Sequence, residues 1–310
     1  MNALDTKILF ELTKNSRIPL TMLAKKLKRS REVITYRINK LKKEGNIIAF
    51  ITEIDTSKLG FVASAVFINI RLKRHKEFKE YLAKQNFISW AGAHCGLYSF
   101  GFSIYGKDLD DIDKKFFELH KRFKDDIVDY WTRVHKDTFF FYEKCFGRGE
   151  QKKIKSSEEH IDNKDKLILK LLAKNSRIEA VRIAEQVKLT APAVAHKIKR
   201  LENAGVIKKY SLFINLSKLN IMQYSVFILN KNMEVRENLL AYLKEHMNIS
   251  FVATYVSDLV IECGILVSNP YKLRDYLLEI ENKFPDNRIT HIFLLQEEFF
   301  SVGAPDCVFC

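Results

Sequence analysis

Apolar positions in the first 50 residues recur at helical spacing: Leu4, Ile8 and Leu12, then Leu20, Leu23, Ala24 and Leu27, then Val33, Ile34, Ile38 and Leu41. Three short helices are predicted. Ser30 stands just before Arg31-Glu32-Val33, where its hydroxyl suits the exposed amides that open the third helix. Gly45 suits the left-handed residue that ends it, and residues 47–51 then read as a short β wing. Beyond this the period changes. Residues 61–72 are β-rich, 77–84 helical, 87–93 and 98–105 strands, 108–123 a helix and 127–141 a last strand. The order β-α-β-β-α-β is that of a ferredoxin-like unit.

The same pattern then runs a second time. Sliding the chain by about 160 residues aligns the halves without a gap over some 65 positions, roughly a third of them identical. Lys14-Asn15-Ser16-Arg17-Ile18 lies over Lys174-Asn175-Ser176-Arg177-Ile178, and Ser57-Lys58-Leu59 over Ser217-Lys218-Leu219. Thr190 takes the place of Ser30, Pro192 falls in the first turn where no amide donor is needed, and Gly205 repeats Gly45. A second wing is read at 207–211, and the β-α-β-β-α-β order through 222–231, 235–245, 249–256, 259–267, 271–283 and 288–300. The expected class is α+β, two copies of a winged helix-turn-helix followed by a ferredoxin-like domain. Its expected segments are 1–52 and 60–145, a polar linker at 146–161, then 162–212 and 220–303, with a Cys-containing tail at 304–310.

Charge then points to a partner. The chain has 310 residues and a formal charge of +14. Residues 1–50 carry about +8 and 161–210 about +7, against about +3 for 51–160 and −4 for 211–310. Excess positive charge held on one small module per repeat is the electrostatic footprint of duplex binding. With Ile34, Ile38 and Leu41 inward, the third helix turns Arg31, Glu32, Thr35, Tyr36, Asn39 and Lys40 outward. Its counterpart, with Val194, Ile198 and Leu201 inward, presents Ala191, Pro192, Ala195, His196, Lys199 and Arg200. Thr35, Tyr36, Asn39, His196 and Arg200 are the candidates for discriminating contacts, with Arg37 and Lys197 flanking them at phosphate. Lys25, Lys28, Arg29, Ser30 and Thr190 complete the expected DNA-binding set. The stretch Lys25-Lys26-Leu27-Lys28-Arg29-Ser30-Arg31 faces Glu185-Gln186-Val187-Lys188-Leu189-Thr190-Ala191, so the first module is expected to carry more of the salt-dependent affinity.

A winged helix-turn-helix followed by β-α-β-β-α-β resembles the Lrp/AsnC (feast/famine) transcriptional regulators. The residues that carry the likeness are Leu4-Asp5, Ile8-Leu9, Asn15-Ser16-Arg17, Ala24-Lys25-Lys26-Leu27, Val33, Arg37-Ile38, Leu41 and Gly45-Asn46-Ile47-Ile48. They recur as Asp165, Asn175-Ser176-Arg177, Ile183-Ala184, Val194, Ile198, Leu201 and Gly205-Val206-Ile207. The resemblance implies RAM-type ferredoxin-like domains that pair. One chain is then a fused pseudo-dimer that assembles further into homo-oligomers on double-stranded DNA. It also implies an amino-acid effector held at a Gly-x-Tyr-Asp turn. Here the first copy reads Gly96-Leu97-Tyr98-Ser99 and the second Val256-Ser257-Asp258-Leu259, so such an effector is not expected. Loss of both turns tilts the reading towards a ligand-independent or architectural, nucleoid-associated role. The alternative is a tetrapyrrole enzyme like the siroheme decarboxylases, similar in build, for which Ser89-Trp90-Ala91-Gly92-Ala93-His94 is a faint echo without a counterpart at 250–255.

Other chemistry is thin. Five Cys make no disulfide framework, which fits a reducing, cytoplasmic setting, and the start lacks a signal-peptide pattern. Cys307-Val308-Phe309-Cys310 is half a zinc knuckle, readable as a docked apolar tail or as a zinc site shared between chains. The acids at 108–113 answer a helix dipole rather than calcium. Phe139-Phe140-Phe141-Tyr142 and Phe299-Phe300 suit a core or dimer seam. No catalytic residue, cofactor, resident metal or membrane partner is expected.

Overall fold

In the computed structural model, which describes residues 1–147 and 159–310, the chain runs twice through one order of elements. The first pass is α1 (Ala3–Lys14), α2 (Leu20–Leu27), α3 (Arg31–Lys43), β1 (Ile47–Ile54), β2 (Val62–Ile70), α4 (His75–Leu82), β3 (Ile88–Cys95), β4 (Phe100–Gly106), α5 (Leu109–Phe123) and β5 (Ile127–Phe140). The second is α6 (Asn163–Lys174), α7 (Ala180–Val187), α8 (Ala191–Asn203), β6 (Ile207–Ile214), β7 (Met222–Asn230), α9 (Met233–Glu245), β8 (Ile249–Tyr255), β9 (Val260–Val267), α10 (Pro270–Lys283) and β10 (Asn287–Ser301). Most of the polar stretch expected as a linker lies outside the described residues.

Local chemistry explains the helical modules. Ser30 Oγ accepts from the Val33 amide and Thr190 Oγ1 from the Ala193 amide, each at 3.3 Å, so α3 and α8 begin where the caps put them. Gly45 and Gly205, both at φ +71°, close them. The turns from α2 to α3 and from α7 to α8 pass through Lys28 and Lys188, left-handed at φ 52° and 53° despite their side chains.

The wings differ from the expectation. Each is one longer strand, and its partner is the wing of the other copy: β1 and β6 pair antiparallel as a two-stranded sheet. Among the described residues neither module has a second strand of its own, because the chain leaves at once for the ferredoxin-like unit. The mate supplies the missing edge. The two cores are consequently shared. Leu212, Ile214 and Leu216, in and just after β6, pack into the core of the first module, and Ile54 of β1 packs into that of the second. Thr52 of β1 donates to the Leu172 carbonyl of α6 at 2.7 Å.

The other eight strands close into one barrel, in the order β10-β3-β4-β2-β5-β8-β9-β7. Strands β5 and β10 make the closure because they are long. The first half of β5 pairs with β2 of its own unit and the remainder, from His135, with β8 of the other. Strand β10 repeats this with β7 and then β3. The aromatic ends sit on these crossings. Phe141 is buried in the core of the second unit, and Phe299 and Phe300 pack on the core of the first. Inside the barrel, Phe67, Tyr98, Phe227, Tyr255 and Phe293 form one buried cluster.

Candidate nucleic-acid interface

The two helix-turn-helix modules meet at a pseudo-two-fold seam built from the repeated Asn-Ser-Arg-Ile. Ser16 Oγ and Ser176 Oγ are 2.6 Å apart and buried. Arg17 Nη1 donates to the Ser176 and Ile178 carbonyls at 2.6 and 2.9 Å, and Arg177 Nη1 returns the contact to Ser16 and Ile18 at 2.5 and 3.2 Å. Each guanidinium also lies beside an aromatic ring of the paired wing strands, Arg17 by Tyr210 and Arg177 by Phe50. This exchange of identical contacts is isologous in the sense used for two-fold dimers. With the shared cores it fixes α3 relative to α8.

On α3 the inward set is as read from the sequence: Ile34, Ile38 and Leu41 are buried. Tyr36 is 64% exposed at the middle of the outward face. Lys25, Lys28, Arg29, Ser30, Arg31, Asn39 and Lys40 are exposed around it, and Thr35 is half-buried, its hydroxyl donating to the Arg31 carbonyl. Lys40 sits 3.7 Å from Glu44, both in water, where such a pair contributes little. Lys42 and Lys43 extend the cationic strip to the end of α3 and were not singled out from the sequence.

On α8 the outward set is thinner. Ala195, His196, Lys199, Pro192 and Thr190 are exposed and Ala191 half-buried. Lys197, expected at its flank, and Arg200, expected on its outward face, instead turn to carboxylates at and just before the start of α6. Lys197 Nζ holds Asp162 at 2.7 Å and Asp165 at 3.0 Å, while Arg200 binds Asp165 and also Glu159 at 3.0 Å. Asp165 is fully buried, so its charge requires those partners. The hydrogen bond from Lys197 pushes the Asp162 carboxyl down to about 2. In the first module Arg37 likewise turns to Asp5, but at 3.7 Å. Arg37, Lys197 and Arg200 are thus committed to α1 and α6 carboxylates rather than presented outward. The charge asymmetry between the modules is larger than composition alone indicates.

At the effector-type turns, Ser99 Oγ accepts from the Ile70 amide at 3.0 Å and is spent on the backbone. Asp258 pairs with Arg133 from the other unit, so its charge is already neutralised. His94 is 5% exposed, with its ring centroid 6.1–6.2 Å from those of Phe67, Trp90 and Phe293. Both its ring nitrogens are buried without a hydrogen-bond partner among the described residues, and burial pushes its pKa down to about 4. In the tail, Ala304, Val308 and Phe309 are buried in the core of the second helix-turn-helix module; Cys307 is half-buried and Cys310 exposed. No helix among the described residues is long and apolar enough to cross a membrane.

Comparison with known proteins agrees with the architecture. A family model of winged helix-turn-helix DNA-binding domains matches residues 1–48 and again 161–208. The chain is 30% identical over 112 residues to an uncharacterised HTH-type transcriptional regulator of Pyrococcus furiosus, covering 36% of this chain and 76% of that one. It is 32% identical over 137 residues to the HTH-type transcriptional regulator LrpA of Bacillus subtilis, covering 43% of this chain and 87% of the relative. Among solved structures, the siroheme decarboxylase NirDL superposes with a TM-score of 0.65 over 97% of this chain and 94% of its own, at 13% identity, a likeness of fold. Match lengths near one repeat are what a duplicated chain gives against single-copy relatives. The chain belongs to the Lrp/AsnC family of transcriptional regulators.

Proposed function

We propose that this protein regulates transcription as a fused pseudo-dimer on duplex DNA, with the first module supplying most of the salt-dependent affinity. The observation that carries the reading is the seam. Reciprocal Arg17 and Arg177 contacts hold two helix-turn-helix modules in one two-fold frame, with the outward faces of α3 and α8 exposed. Tyr36, Asn39 and Arg31 are assigned to base edges and phosphate near them, Lys25, Lys28, Arg29 and Lys40 to phosphates, and His196 and Lys199 to the second half-site. Ser30 and Thr190 act through their caps, and Ala191 offers apolar surface.

We assign no catalytic step. A tetrapyrrole decarboxylase needs an accessible acid or base, and His94, the residue that suggested one, is packed among aromatic rings with neither nitrogen at the surface. Fluorescence anisotropy on a duplex of about 40 base pairs across a salt series tests the proposal. Neutralising Lys28, Arg29 and Arg31 should lower the slope of log affinity against log salt by up to about 2.7. Neutralising Lys188 and Lys199 should lower it by no more than about 1.8. Equal slopes for the two variants would sink the asymmetry, and a flat salt response in the unaltered protein would sink DNA binding itself.

A further inference from the structure

A cavity of about 200 Å³ opens at the seam, on the flank of α3. Its walls include Ile38, Asn39 and Lys42 of α3, Phe50 of β1, and Asn175 and Arg177 of the second module. Two cations border one aromatic ring: Lys42 Nζ is 5.9 Å and Arg177 Cζ 5.6 Å from the centre of Phe50. Lys42 has no carboxylate partner among the described residues. Burial, and after it the proximity of Arg17, pushes the Arg177 pKa down, a situation that a bound anion relieves.

The duplication supplies an internal comparison. At the equivalent place in the second copy, Glu202 stands for Lys42 and Tyr210 for Phe50. There the Tyr210 hydroxyl donates to Glu202 Oε1 at 2.6 Å, with Arg17 by the Tyr210 ring. That copy carries its own carboxylate beside ring and arginine. The first copy has a cation in place of that carboxylate, beside an open space.

We propose that this cavity binds a small organic carboxylate with an apolar body, the carboxylate between Lys42 and Arg177 and the body against Phe50 and Ile38. That space accommodates a body of one ring or a short branched chain. The occupant bridges both modules and touches the helix assigned to the major groove. This site lies at the helix-turn-helix seam and not at the turns between the barrel strands. Binding is measured on DNA-free protein, so this inference and the DNA-binding reading can fail separately.

Calorimetric titration of the full chain with benzoate and with isovalerate, against benzyl alcohol and inorganic phosphate, tests it. The expected result is saturable binding of at least one carboxylate, about tenfold or more tighter than the alcohol or phosphate. The double variant Lys42→Glu with Phe50→Tyr installs the hydrogen bond that the second copy already accommodates, and should abolish binding while keeping the melting temperature. If that variant melts early, Lys42→Gln alone should weaken binding by about tenfold. Absence of saturable carboxylate binding, or undiminished binding in the variants, overturns the proposal. So does phosphate binding as tightly as the carboxylates and being displaced by duplex DNA, which would make the cavity a seat for the DNA backbone.

Discussion

The Asp165 cluster sets fold stability against DNA affinity, and one substitution reads both. Asp165 is fully buried, held by Lys197 at 3.0 Å and by Arg200, and it accepts the Asp162 amide at 3.0 Å. In Asp165→Asn the amide oxygen still serves Asp162, but two cations lose their common counter-ion. Removing one member of a buried pair costs about 3–5 kcal/mol. Here the side chains of Lys197 and Arg200 are 19% and 30% exposed and can turn to water, so about 2–3 kcal/mol is expected. For a chain of 310 residues that corresponds to a fall in melting temperature of roughly 3–5 °C. The matching Asp5→Asn breaks only a 3.7 Å contact with Arg37 and should cost about 1 kcal/mol. Lys197 then keeps only the half-exposed Asp162 and Arg200 only Glu159, and each phosphate they exchange for these partners steepens the salt slope of binding by about 0.9. Thermal melts and anisotropy on the same preparation therefore give opposite signs, a less stable protein with a steeper salt dependence. Equal melting of the Asp165 and Asp5 variants would refute the burial argument. An unchanged or shallower slope would refute the claim that these cations are withheld from DNA.

Buried histidines and carboxyls bracket the pH range in which the barrel is most stable, and His94 and Glu262 give one test of each limb. His94, pushed down to about 4, is neutral in the fold, so its contribution is complete above pH 6.5 and is lost as pH falls towards 4, by about 3 kcal/mol in all. His94→Leu should flatten that acid limb in melts between pH 4 and 7, and an unchanged limb would place the titration elsewhere. Glu262, pushed up to about 7 by burial and hydrogen-bonded to Tyr255, stays protonated in the fold. Its contribution is complete below pH 4.5 and lost as pH rises through about 7, so Glu262→Gln should gain stability relative to the unaltered protein between pH 5 and 8. Phe309 is 7% exposed in the core of the second helix-turn-helix module, and Phe309→Ala should cost about 3 kcal/mol in chemical denaturation; no loss would mean that the tail docks without contributing.

The readable features were those fixed within a few residues of themselves. The caps at Ser30 and Thr190, the closing glycines and the inward stripe of Ile34, Ile38 and Leu41 depend on local spacing, and each stands where it was read. What was not legible depends on partners far along the chain. The side chain of Arg200 is outward on a helical wheel, and only the position of α6 shows Asp165 beneath it. The wing strands read as local hairpin pieces because no periodicity reports that β1 pairs with β6, about 160 residues away. Barrel closure was hidden for the same reason, although the unusual length of β5 and β10 and their aromatic ends were visible. One long-range feature did leave a local trace. At an isologous seam every contact is made twice, once from each copy, so a substitution in one half must suit the other, and Asn-Ser-Arg-Ile stands unchanged in both. The outward positions of α3 and α8 carry no such constraint, and there the copies part: Arg31 against Ala191, Tyr36 against His196, Asn39 against Lys199. In a duplicated chain of this kind, identity between the halves gathers at the cores, the caps and the seam, and divergence on the outward helix faces marks positions where neither copy constrains the other.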